Sequence, residues 1–319
     1  VSTYPLHLQQ SKIGGKKLVA YIKPMLAHLH DKPFDNDNWI FEIKWDGYRA
    51  IAELKGKNTR LYSRNGLSFK EKYPIIFQEL ASFKKNLVID GEIVALDKKG
   101  MPSFQLLQQY EQAQVPLVYY VFDCLYVNGK SIENKPLLER KEILKSQLPE
   151  SVLVKYCDHI EADGKAFFAL TKKKGLEGMM AKKADSKYRE GIRSADWLKV
   201  KHVLTEDAVI AGYTRPRGSR KYFGALVLGK YKNGKLQYIG HTGTGFNEEN
   251  IKDVYTQMQS LITEESPFSE NIAVNAPVTW IKPKLVCSLK YAEVTADGSR
   301  RQPVFMGLRI DLDARDVKE

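Results

Sequence analysis

The sequence predicts an α+β protein in two parts: antiparallel sheets with helices over residues 21–203, then a small β-barrel over 204–319. Length is the first reason, since 319 residues at about 150 per domain give roughly two domains. The second is texture. From Trp39 to Lys201, β-prone runs are mixed with three helical patterns. The third is a shift after Lys201 to short strands punctuated by Gly, Pro and Asn, with a single helix among them.

The elements follow in order. Residues 1–20 read as an irregular N-terminal segment, and irregular texture continues to residue 38 through the polar run Asp35-Asn36-Asp37-Asn38. Trp39–Ile43 alternates loosely and reads as a strand, followed by strands at 50–54 and 59–62 around a turn at Lys55–Asn58. Residues 71–85 place Ile75, Ile76, Leu80 and Phe83 at helical spacing, with a start near Pro74. Residues 87–89 and 90–96 read as a buried strand pair, and 117–127 as a strongly β-prone strand closed by an Asn128-Gly129 turn. Amphipathic helices are expected over 136–148 and 161–174, the second capped by Gly175. Strands follow at 176–183 and 197–201. Beyond a boundary near His202–Glu206, strands at 207–213, 225–231, 236–241, 278–281 and 285–294 surround one helix at 248–262 that starts near Asn247. Five short strands and one helix are the content of an OB-fold. No internal repeat is present.

Composition limits the function classes. Hydrophobic residues make up 43% and charged residues 28%, which excludes wholesale disorder and collagen-like repeats. The longest apolar runs fall far short of the roughly 20 residues that span a bilayer, and no signal-peptide pattern opens the sequence. Val1 stands where Met is usual, which suits a processed chain or a piece of a larger protein. Cys124, Cys157 and Cys287 lie far apart with no C-x-x-C, so they read as buried thiols of a reducing cytosol rather than zinc ligands or disulfides. His28, His30 and His202 have no metal-ligand spacing. A net charge of +12 favours a polyanionic partner.

The most specific feature is Glu42-Ile43-Lys44-Trp45-Asp46-Gly47-Tyr48-Arg49, which contains K-x-D-G-x-R. In order after it come Ser63-Arg64-Asn65-Gly66, Asp90-Gly91-Glu92, Tyr120-Val121-Phe122-Asp123, Glu177-Gly178-Met179-Met180-Ala181-Lys182 and Leu198-Lys199-Val200-Lys201. Residue types alone already suggest chemistry. Lys44 at a strand end before a glycine turn can present an amine in a cleft, but a free lysine titrates near about 10.4. Arg49, Lys199 and Lys201 would depress that value if they converged on one phosphate site. Lys199 and Lys201 alternate with apolar residues and so share one strand face. Glu92 and Glu177 each sit within an apolar run; one suits a ribose hydroxyl and the other a magnesium ion held partly through water.

This ordered set resembles the covalent nucleotidyltransferases: ATP-dependent DNA ligases, RNA ligases and mRNA capping enzymes. The surrounding text, including Arg140-Lys141, Tyr188 to Trp197 and Thr242-Gly243-Thr244-Gly245, is closer to the ligase module of bacterial ligase D. The resemblance implies a nucleotidyltransferase domain with ATP-grasp-like antiparallel sheets, followed by an OB-fold. It implies Lys44 as the catalytic nucleophile. It places Glu42, Arg49, Arg64, Glu92, Phe122, Glu177, Lys199 and Lys201 around ATP, with Glu92 on the ribose, Glu177 on the metal, Phe122 stacked on the base and Glu42 near the adenine edge. Both glutamates, Glu92 and Glu177, are candidate ligands of Mg²⁺ or Mn²⁺. The family's last motif usually reads R-x-D-K; here it is Arg309-Ile310-Asp311-Leu312, leaving Arg309 and Asp311 to orient pyrophosphate in the first step.

Arg215, Arg217, Arg220 and Lys221 form a basic loop with Tyr213, Tyr222 and Phe223, and are candidates for DNA backbone contact. Taken together, the expectation is a monomeric ATP-dependent DNA ligase. It seals 5′-phosphate/3′-hydroxyl nicks or ends in repair and recombination by non-homologous end joining, in the bacterial cytoplasm at the nucleoid. Partners would be nicked or broken duplex DNA, a Ku-like end-binding protein, and polymerase and phosphoesterase modules; no membrane partner is expected. The rivals are a GTP-using capping-type enzyme, an RNA ligase, and a catalytically dead DNA-binding module. NAD-dependent ligases are disfavoured because their four-cysteine zinc finger is absent.

Overall fold

The computed structural model describes residues 21–319 except 111–114, 217, 219, 271, 273, 275, 296 and 297. The irregular segment expected at 1–20 and the side chain of Arg217 lie outside the described residues. Among the described residues, eleven strands precede residue 202: β1 (Leu26–Leu29), β2 (Asn36–Ile43), β3 (Tyr48–Lys55), β4 (Arg60–Ser63), β5 (Asn86–Ala95), β6 (Leu117–Val127), β7 (Lys130–Ser131), β8 (Val154–Tyr156), β9 (Ile160–Ala162), β10 (Gly178–Lys183) and β11 (Arg193–Lys201). Then come β12 (Leu204–Thr214), β13 (Leu226–Lys232), β14 (Lys235–Thr242), β15 (Ile262–Thr263), β16 (Val278–Tyr291), β17 (Glu293–Val294), β18 (Arg300–Arg301) and β19 (Val304–Leu308). The helices are α1 (Pro74–Ser82), α2 (Phe104–Gln108), α3 (Leu137–Gln147), α4 (Gly164–Lys173) and α5 (Glu248–Gln259).

One sheet has the order β1-β11-β10-β2-β9, antiparallel except that β1 runs parallel to β11. A second has the order β4-β3-β5-β6-β7, with β8 parallel to β6. Helices α1, α2 and α3 cover one face of the second sheet around Tyr48, Ile76, Phe104 and Leu144. Its other face meets the first sheet through Ile51, Val88, Phe122 and Trp197. Helix α4 covers the far side of the first sheet around Phe41, Met179 and Val200. The third sheet, β14-β13-β12-β16-β15 with β19 on β16, curls around Ile210, Leu228, Cys287 and Phe305. A bridge between Thr244 and Val304 joins its ends, and α5 plugs it with Ile251, Val254 and Met258. No helix among the described residues is long and apolar enough to cross a membrane.

Local signals account for most of these elements. Pro74 opens α1, and Asn247 caps α5 through reciprocal bonds with Asn250, both 2.8 Å. Four expectations are corrected. The stretch expected as a pair at 87–96 is one strand, β5, because Asp90-Gly91 forms an irregularity against β6 rather than a turn; a Cβ at Gly91 would lie 2.5 Å from the Tyr120 carbonyl oxygen. The 161–174 helix begins three residues late, since β9 holds Ile160–Ala162 and Ala162 takes φ 64°. Residues 278–291 are one strand that tolerates Pro283 because the register against β12 slips between Leu285 and Trp280. Finally, β1 lies within the stretch expected to be irregular, and α2 and β19 were not anticipated.

Candidate active site

Strand β2 ends at Ile43, and the turn Lys44–Gly47 carries the chain from the first sheet to β3 of the second. The Lys44 amide donates to the Gly178 carbonyl at 3.1 Å. The Trp45 ring stacks on Tyr120 with centroids 3.7 Å apart, and its Nε1 donates to Cys157 Sγ at 3.3 Å. Gly47 is required because any Cβ there would run into the Ile93 peptide. The turn is therefore rigid, and Lys44 projects into a cavity of about 540 Å³.

Glu42, Lys44, Arg49, Arg64, Glu92, Phe122, Glu177, Lys199, Lys201 and Arg309 all line this one cavity. Asp311 does not; it is fully buried and takes the Arg309 guanidinium in a two-pronged pair at 2.8 and 2.7 Å. Arg309 also reaches Asp207 at 3.5 Å. Where the family resemblance implies a lysine, Leu312 packs in the apolar layer outside the barrel and also lines the cavity.

Lys44 Nζ is ion-paired with Glu177, whose other oxygen lies 3.2 Å from Lys201 Nζ. Burial is the largest single influence and would lower the Lys44 pKa, but the charge and hydrogen bond of Glu177 together with the charges of Asp46 and Glu92 outweigh it and raise it. This corrects the expected depression by neighbouring cations: Lys201 is balanced by the same Glu177, and Arg49 is committed to Asp90 at 2.7 and 2.6 Å. Burial opposes ionisation of Glu177 too, yet Lys44 and Lys201 hold it down at about 2. Lys199 shares the strand face of Lys201 and the same cavity but has no ion-pair partner among the described residues. Burial, followed by the charges of Lys201 and Lys44, pushes it down to about 7. Arg64 similarly lacks an ion-pair partner among the described residues, and burial lowers its pKa.

Burial pushes Glu92 up to about 8, so near neutrality it carries a proton and suits a hydroxyl partner better than a cation. Glu177 is the ionised carboxylate. Among the described residues no group of three or more His, Cys, Asp or Glu is placed to hold a metal. A hard cation would thus rely on one or two carboxylates, water and substrate oxygens, which is the usual donor set for magnesium beside phosphates.

Glu42 faces inward rather than outward. It is 1% exposed and paired with both Lys141 and Lys182, the latter at 2.6 Å. Lys182 Nζ also lies 4.1 Å from the Phe122 ring centroid and 4.3 Å from that of Trp197, while Arg49 lies 4.8 Å from Phe122. Phe122 is thus a pocket-lining ring flanked by cations. Lys182, Lys141 and Asp90 were missed as site residues although each stands in a quoted motif. Asp207 and Trp197 gave no signal as cavity residues.

The basic loop lies apart from the cavity. Arg215 and Lys221 are exposed. Arg220, the fourth residue expected on DNA, donates Nη1–H to the Gly243 carbonyl at 2.7 Å and packs 5.6 Å from the Phe246 ring centroid; the loop is tied down through it.

Comparison with known proteins places this geometry. Residues 24–201 match the family model "ATP dependent DNA ligase domain", and residues 219–312 match "ATP dependent DNA ligase C terminal region". The chain is 35% identical over 97% of its length to the multifunctional non-homologous end joining protein LigD of Pseudomonas aeruginosa, covering 38% of that protein. It therefore spans about two fifths of that relative's length. It is 30% identical over 91% of its length to the SPbeta prophage-derived DNA ligase-like protein LigB of Bacillus subtilis, covering all of it. A solved structure of mycobacterial DNA ligase D complexed with ATP and MES superposes with a TM-score of 0.67 at 33% identity, covering 93% of this chain and 97% of that one. The chain belongs to the ATP-dependent DNA ligase family, with the ligase region of LigD proteins among its relatives.

Proposed function

We propose that this chain seals DNA strand breaks through a lysine–AMP intermediate on Lys44. The observation that carries this is the gathering of Lys44, Glu92, Glu177, Lys199, Lys201 and Arg309 from all three sheets around one cavity. Lys44 Nζ attacks the α-phosphorus of ATP; the bond to the bridging oxygen breaks and pyrophosphate leaves. Lys44 must shed a proton to water first; Glu177, held at about 2, is too weak a base to keep it, so its ion pair with Lys44 must loosen before attack. Lys199, Lys201 and Arg64 offset charge on the transferring group, Glu92 takes a ribose hydroxyl, and Phe122 packs on the base. Arg309, with Asp311 holding its guanidinium, faces the leaving pyrophosphate. A 5′-phosphate oxygen then displaces Lys44, and a 3′-hydroxyl displaces AMP. Magnesium or manganese, when bound, neutralises phosphate charge; Glu177 would hold it, with Glu92 once deprotonated.

We further propose two domains, 21–203 and 204–319, hinged near 202–206, so that the barrel closes over ATP and then turns to grip DNA. Arg215, Arg217 and Lys221 would meet duplex phosphates. The names of the LigD relatives, which include non-homologous end joining, support a role in that repair; nicked or broken duplexes would be the substrate, the bacterial nucleoid the place, and a Ku-like protein and polymerase and phosphoesterase modules the partners.

The test is incubation with α-labelled ATP and no DNA. Wild type becomes covalently labelled and Lys44→Ala does not, while Lys44→Ala still seals a nick that already carries 5′-AMP. Label persisting on the variant sinks the assignment. Labelling by GTP instead of ATP would favour a capping-type enzyme, and no label at all a dead module.

A further inference from the structure

Arg309 is held in the cavity from two directions, and one of them belongs to the other part of the chain. Its own amide donates to the Val286 carbonyl at 2.7 Å within the barrel. The carbonyl just before it, on Leu308, accepts from Gln108 Nε2 at 2.5 Å, across 200 residues of sequence. The Tyr48 hydroxyl stands 3.5 Å from the same carbonyl oxygen. The guanidinium itself lies 5.6 Å from the Tyr48 ring centroid and 5.5 Å from that of Phe104, the first residue of α2. Phe104 and Leu107 root α2 in the core of the second sheet, so Gln108 projects from a fixed base. Gly307 takes φ 146°, and a Cβ there would overlap the Gln108 side-chain amide. The strand is therefore shaped to admit this one side chain.

We propose that Gln108 is a positioning residue that latches the Leu308 carbonyl and so places Arg309 over the nucleotide cavity during self-adenylylation. The inference rests on the reading of Arg309 as a residue of the ATP step. When the barrel swings away to grip DNA, the Leu308 carbonyl bonds to water instead, and the latch contributes nothing to sealing. A bond made in one arrangement and not the other biases the equilibrium between them.

The test uses the full 319-residue chain and Gln108→Met, which keeps the length of the side chain and removes the donor. Self-labelling by saturating ATP should slow roughly five- to tenfold, the worth of one neutral hydrogen bond lost from one state. Sealing of a pre-adenylylated nick and the thermal midpoint should stay at wild-type values. Arg309→Ala, run in parallel, should slow labelling more than it slows sealing. If Gln108→Met labels at the wild-type rate while Arg309→Ala is slow, the latch is wrong and the reading of Arg309 stands. If Arg309→Ala labels normally, that reading fails and the latch with it. Equal losses of labelling and sealing in Gln108→Met, with a lowered midpoint, would reduce Gln108 to a packing role and overturn the proposal.

Discussion

Lys199 and Lys201 occupy equivalent strand positions and differ in what meets them. Lys201 has Glu177 at 3.2 Å; Lys199 has no ion-pair partner among the described residues, and burial, then the charges of Lys201, Lys44 and Arg193, outweigh the pull of Asp207 and push its pKa down to about 7. The ordinary lysine value is about 10.4, so between about pH 7 and that value the unfolded chain binds the extra proton and the folded chain does not. Stability from this site therefore rises with pH across that window, and its full cost is present below it. Lys199→Met should stabilise the protein most at about pH 6 and progressively less toward about pH 10 in denaturant midpoints. A pH-independent difference between variant and wild type would refute the depressed pKa. Sequence alone shows that the two lysines share a face, because alternation is local. It does not show which one is paired, because Glu177 reaches them from a different segment. The same holds for Arg49, whose motif was legible and whose partner, Asp90, stands on a neighbouring strand.

At the scale of elements, β6 and α3 are fastened by one fully buried pair. Arg140 meets Asp123 through two bonds of 2.8 Å, and its remaining donor bonds the carbonyls of Lys135 at 2.6 Å and Ser186 at 2.7 Å. Both Asp123 carboxylate oxygens and all three Arg140 nitrogens have partners, and β6 is held where Phe122, one residue before Asp123, lines the cavity. Arg140→Met leaves the Asp123 charge buried without a counterion, which should cost about 3–5 kcal/mol in urea unfolding. A loss below about 1 kcal/mol would mean that water or a rearranged side chain reaches Asp123. Both elements were legible: β6 from its unbroken β-prone run and α3 from the helical pattern after Pro136, although the expected amphipathic face is absent, since Arg140 and Lys141 are buried beside Leu137 and Leu144. Strand β1, with four residues, and α2, with five, were not. Elements that short show no complete period of either kind, and they persist because larger elements hold them.

At the scale of the molecule, the basic loop and the cavity occupy different places, so binding and nucleotide chemistry separate experimentally. Arg215 and Lys221 are exposed and Arg220 is tied to Gly243. Arg215→Ala with Lys221→Ala should leave ATP labelling intact. It should also lower the slope of log K for nick binding against log salt by about 2, near 0.9 for each phosphate contact. An unchanged slope in titrations at several salt concentrations would remove the loop from the DNA interface. The two-part architecture was legible from the change in texture after Lys201. The meeting of α2 with β19 was not, because contacts across 200 residues leave no local pattern.

The parallel pairing of β1 with β11 joins Leu26 to Arg193 and Leu29 to Lys199. A ribosome that has delivered everything up to α4 has therefore not yet supplied the strands that complete the first sheet. Until β10 and β11 emerge, β2 lacks its partner on that side, and nascent chain must wait with an open edge of the kind that recruits other chains. Finishing this sheet thus waits for β10 and β11 and coincides with delivery of Glu177, Lys199 and Lys201, while Arg309 still has to follow with the barrel.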